Sequence, residues 1–121
     1  ITVPAFNAFF SKHDAFLGHR RRYDLGGLTA LAERAGLSVK GSGYLFSSLL
    51  LPKALSTLAE KVFGASPEEA SGIGDWRGGR LLTGLIKAAL DVDNAFLLAL
   101  NRALRLRLPG LTGWVLCEKQ R

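Results

Sequence analysis

The chain has 121 residues, 48% of them hydrophobic, and carries 16 Lys and Arg against 10 Asp and Glu, for a net charge of +6. That length supports one domain with a single core, and a mean hydropathy of +0.17 excludes a disordered chain. No apolar run reaches the roughly 18–20 residues that span a bilayer, and a single cysteine, Cys117, excludes an internal disulfide, so nothing points to secretion.

Residues 1–3 read as the end of a buried strand, a β-branched run stopped by Pro4. With Ile at position 1 and no methionine anywhere, this opening sets the expectation of a fragment lacking its N-terminal part. Residues 4–23 read as a loop with one helical turn through residues 7–12. Asp24 then caps a helix with Leu28, Leu31, Ala32 and Ala35 on one face, and Gly36 is its left-handed stop. Residues 37–46 follow as a strand in which Gly41 and Gly43 signal a bulge or a close backbone approach.

Residues 49–63 form an amphipathic helix that tolerates Pro52 only in its first turn. The stretch GASPEEASGIGDWRGG, residues 64–79, is a turn-rich connection, with Ser66 as cap for a short helical turn. Residues 80–107 place Leu82, Leu85, Ile86, Val92, Phe96 and Leu100 at helical spacing. Pro109-Gly110 ends that helix, and residues 111–118 form a last strand, with Cys117 as a buried, inert thiol. A strand–helix–strand opening predicts a parallel crossover, and the whole order predicts part of a larger α/β domain.

The segment TVPAF, followed by SKHDAFLGHRRRY (residues 11–23) and a helix ending AERAGLSV, resembles the C-terminal half of class I S-adenosylmethionine-dependent methyltransferases. The matching positions are Val3, Pro4, Ala5, His13, Asp14, Gly18, His19, Arg21, Arg22, Tyr23, Ala35, Gly36 and Val39, and they cover about the first third of the chain. The resemblance implies an α/β fold, the last three strands of a Rossmann-like sheet, with the final strand antiparallel and a helical insertion between the last two. On that reading residues 1–46 are the strand–loop–helix–strand core, residues 47–110 the insertion and residues 111–121 the final strand. It implies S-adenosyl-L-methionine as cofactor, held by a glycine-rich loop and an acidic residue upstream of this chain, so that the fragment alone is inactive. GSGYLF and GIGDWRGG contain G-x-G but do not join a strand directly to a helix.

The loop carries the candidate chemistry. His13 or His19 would face a small-molecule or lipid-like methyl acceptor as general base or hydrogen-bonding orienter; alternatively both imidazoles tie the loop to backbone carbonyls. Too few further ligands are suitably spaced for a metal. Phe6, Asp14, Arg20, Arg22 and Tyr23 would border the acceptor. The arginines 20–22 would clamp an acidic or phosphorylated acceptor, unless one pairs with Asp14 or Asp24 and, with Tyr23, braces the loop. The positive charge admits two rival readings without catalysis. A nucleic-acid module has charge as its sole support, because no zinc knuckle, strand-borne aromatic pair or helix-turn-helix spacing accompanies it. A membrane-surface protein would use Lys53, Lys61, Arg80, Lys87, Arg102, Arg105 and Arg107 on its two long helices. The expected location is cytoplasmic, with peripheral membrane contact if those helices meet lipid.

Overall fold

A computed structural model describes residues 1–64 and 78–119. Strand β1 (Thr2–Pro4) leads through a 3-10 turn (Asn7–Phe9) and a short helix α1 (Lys12–Phe16) to helix α2 (Leu25–Arg34) and strand β2 (Leu37–Leu45). Helices α3 (Leu50–Phe63) and α4 (Gly79–Leu104) follow, and strand β3 (Thr112–Lys119) closes the chain. The expected cap at Ser66 lies outside the described residues.

The fold is mixed α/β, with a three-stranded sheet in the order β1-β3-β2. β3 runs antiparallel to both neighbours, pairing Val3 with Gly113 on one side and Ser42 with Val115 on the other. β1 and β2 are therefore parallel to each other, as the crossover pattern predicts, but they flank β3 instead of pairing directly. The two long helices lie between β2 and β3 in sequence.

Local chemistry accounts for the element ends. Asp24 accepts the backbone N–H of Gly27 at 2.7 Å and caps α2. A Cβ on Gly27 would stand at that same distance from the capping oxygen, so the glycine admits the cap where a larger residue would crowd it. Gly36, at φ +78°, ends the helix in the left-handed region. In β2 the register shifts between Val39 and Gly41, and the indole of Trp114 lies over Gly41 and Gly43. The glycines thus serve both as a bulge and as a floor for an aromatic ring.

A helix covers each sheet face. A Cβ on Gly113 would meet Leu25 of α2, whereas its neighbour Trp114 lines a cleft with Ala95 and Leu98 of α4; successive strand residues point to opposite faces. The buried apolar core among the described residues comprises Ala5, Leu25, Leu28, Ala32, Leu97 and Val115. Both long helices turn apolar stripes outward: Leu51, Leu55, Leu58 and Val62 of α3 are exposed, as are Leu85, Val92 and Phe96 of α4. Polar contacts fasten α4 instead. Asn94 Oδ1 accepts from the Phe46 N–H at 2.9 Å, Asp93 accepts from the backbone and hydroxyl of Ser48, and Asn101 donates to the Ser42 carbonyl. No helix among the described residues is long and apolar enough to cross a membrane. Ile1 is exposed, and Cys117 is half-buried on β3 with a free thiol.

Candidate functional site

The loop after β1 closes on itself at its base. Tyr23 donates its N–H to the Pro4 carbonyl at 3.0 Å, and Phe6 returns one to the Tyr23 carbonyl at 3.0 Å. Everything between residues 6 and 23 is therefore held in a compact excursion beside the carboxyl end of β1. The helical turn expected within residues 7–12 is the 3-10 turn Asn7–Phe9, and a second short helix follows it. Ser11 adopts an extended backbone, and its N–H donates to Asp14 at the third helical position, the returning half of a capping box, so α1 begins at Lys12. Leu17 ends this helix, and Gly18, at φ +75°, turns the chain back.

Asp14 is the hub of the loop. Its side chain is 2% exposed, and all its acceptor capacity is used. Oδ1 accepts from Nε of Arg22 at 2.9 Å and pairs with Nη2 at 2.8 Å, while Oδ2 accepts from the backbone N–H and the hydroxyl of Ser11, both at 2.9 Å. Burial alone would raise the Asp14 pKa; the hydrogen bonds from Arg22 and Ser11, with the guanidinium charge, outweigh it and hold the carboxyl below its ordinary value. Arg22 also donates to the Ala5 carbonyl at 3.2 Å, which ties the pair to the strand end. The network reaches α3, where Lys53 Nζ donates to the Ser11 hydroxyl at 2.7 Å. Partial burial and the nearby Arg22 cation lower the Lys53 pKa, against the opposing pull of Asp14 and Glu60.

Above this network lies an open cleft of about 430 Å³, within the range of small-molecule sites. Both histidines line it, with Asp14, Arg22, Lys53 and residues 2–4 of β1. Six positions apart they share no helical face, but the reversal at Gly18 brings them to one wall. His19 Nδ1 is turned inward, 3.7 Å from Asp14 Oδ1 and without a hydrogen bond, because Arg22 already occupies that oxygen. Nε2 is left as the nitrogen available to a ligand. Among the described residues, neither imidazole is hydrogen-bonded to a backbone carbonyl. His13 is exposed in α1.

The remaining expected residues divide. Asp14 and Arg22, expected to border an acceptor, line the cleft but spend their polar atoms on the loop itself. Phe6 and Tyr23 line a second cleft of about 410 Å³ on the other side of Arg22. Phe6 has a left-handed backbone (φ 59°) and its ring stacks on Tyr44 at 5.1 Å. Arg21 lies over the Tyr23 ring and donates to its hydroxyl at 2.7 Å. Arg20 is exposed and lines neither cleft. Lys53, which the sequence assigns to an outer basic surface, enters the cleft instead, and no local spacing signals it.

The space at Gly41 and Gly43 is filled by the Trp114 ring, and the G-x-G of residues 72–74 lies outside the described residues. No group of three or more metal-ligating side chains gathers among the described residues. Compared with family models, curated proteins and solved structures, the chain matches none.

Proposed function

We propose that this chain is the acceptor-side part of an S-adenosylmethionine-dependent methyltransferase of Rossmann-like fold, with the cleft bordered by His13 and His19 as the methyl-acceptor site. The observation that carries the reading is the convergence of both motif histidines on one cleft at the carboxyl end of a strand, above a buried Asp14–Arg22 pair. Two parallel strands with an antiparallel final strand agree with the same reading.

Methyl transfer to a hydroxyl or amine needs positioning and a proton acceptor. His19 supplies the latter: it lines the cleft, and the acceptor's proton passes to its imidazole. Asp14 lies behind that ring without a hydrogen bond to it, and Arg22 and Ser11 fix Asp14. Lys53 adds a cation to the cleft wall, which suits an acceptor bearing an anionic group. The cofactor supplies the electrophilic methyl and is held by residues outside this chain.

Calorimetry with S-adenosylmethionine tests the reading. The full-length protein is expected to bind it at roughly micromolar Kd or tighter, and residues 1–121 alone are expected not to bind. A full-length protein that does not bind the cofactor would refute the proposal.

A further inference from the structure

Cations gather at the C-terminal end of α4, and no described residue pairs with the three arginines among them. Arg102, Arg105 and Arg107 line a cleft of about 360 Å³ together with Lys40, Ser42 and Asn101. Among the described residues, no hydrogen bond or ion pair engages the three guanidiniums, and Lys40 meets only the exposed Glu118, at 3.2 Å. The helix C-terminus does not account for them. Its dipole is worth about half a negative charge, against three full positive ones.

Apolar side chains adjoin this cleft. Arg105 has a left-handed backbone at φ 53°, which ends the helix and opens the alternating run Arg105, Leu106, Arg107, Leu108. Both arginines of that run face the basic cleft, while Leu108 lines an apolar cleft of about 430 Å³ with Phe9, Leu50, Leu51, Ala54 and Pro109. Leu104 and Leu106, beside these arginines in the chain, are exposed. A cationic pocket edged by exposed leucines is matched to a phosphate carried on an acyl chain: the charge needs an anion and the leucines need hydrocarbon.

We propose that residues 102–108 rest on an anionic lipid bilayer, with a lipid phosphate seated among Arg102, Arg105 and Arg107 and the neighbouring leucines in the acyl boundary. This narrows the seven basic residues singled out in the sequence. Lys53 and Lys61 turn back to the loop, donating to Ser11 and to the Ala8 carbonyl, and Lys87 pairs with Asp91. The proposal is independent of the methyl-acceptor reading.

Vesicle sedimentation of the full-length protein tests it, with phosphatidylcholine alone and with roughly one third phosphatidylglycerol added. Binding is expected to the mixed vesicles and to be much weaker to phosphatidylcholine. Each arginine near the surface contributes roughly fivefold, so the triple variant R102Q/R105Q/R107Q should bind roughly a hundredfold more weakly. R107Q alone, beyond the helix, should lose roughly fivefold and serves if the triple variant does not fold. The charge-matched control R20Q/R34Q/K119Q should retain wild-type binding. L104S/L106S should lose at least roughly tenfold, through lost apolar insertion. Equal losses in the control, or no loss in the leucine variant, would overturn the proposal. So would absence of vesicle binding, whether the arginines then bind glycerol phosphate or duplex DNA in its place.

Discussion

Arg22 grips one oxygen of Asp14 through two nitrogens, at 2.8 and 2.9 Å, and both side chains are almost wholly buried, at 6% and 2% exposure. The pair turns an arginine-rich stretch of loop into a fixed wall. Its hydrogen bonds run to the strand end at Ala5 and to the start of α1 at Ser11, so one ion pair sets the path of the whole excursion.

Arg22→Ala leaves the Asp14 carboxylate buried with one side unpaired, and it is expected to destabilise by about 3–5 kcal/mol. Arg22→Lys should recover part of that, since an ammonium replaces the charge but not the two-nitrogen grip. Urea unfolding of the full-length protein measures both. Equal stability of wild type and Arg22→Ala would show that the pair does not hold the loop.

The same pair gives the fold an acid-sensitive component. The folded Asp14 pKa lies below the ordinary value of 3.8, so the unfolded chain binds this proton more tightly. The stabilisation is full well above that value and is lost as pH falls through it to the lower folded pKa. Asp14→Asn should flatten this part of the stability–pH curve, measured by denaturant midpoints from neutral pH into acid. An unchanged acid slope in the variant would assign the sensitivity to other carboxylates.

Two glycines in one strand should respond differently to alanine. A Cβ at Gly43 would lie 2.9–3.0 Å from rigid ring atoms of Trp114, whereas at Gly41 the nearest ring atoms are at 3.5–3.6 Å. Gly43→Ala is therefore expected to cost about 1–3 kcal/mol through overpacking, and Gly41→Ala considerably less. Comparable thermal midpoints for the two variants would contradict the packing of Trp114 across β2.

The elements most legible in the sequence are those with a local physical cause. Asp24 and Gly36 bound α2 because a cap and a left-handed residue act within one turn, and Gly41 and Gly43 mark the bulge of β2, though not the Trp114 ring that lies over them. The 3-10 turn falls where a helical turn is expected, but α1 is not legible, because its signal, Ser11 with Asp14 at the third position, is short and lies within a polar loop. Lys53 could not be assigned to the cleft, since it arrives on α3 through tertiary packing. Helical periodicity located the apolar stripes of α3 and α4 but carries no information on what covers them. Asp93, Asn94 and Asn101 were the missed signal: polar residues along one side of a long helix are what fasten α4.

Methyl transfer by the full-length protein tests the acceptor cleft most directly, followed as tritium passing from S-adenosylmethionine into the solvent-extractable fraction of a cell extract. His19→Ala is expected to lower turnover by about 10²-fold or more, with cofactor affinity nearly unchanged, because only the proton acceptor is lost. Wild-type turnover in both His19→Ala and His13→Ala would contradict the account and leave the cleft as scaffolding.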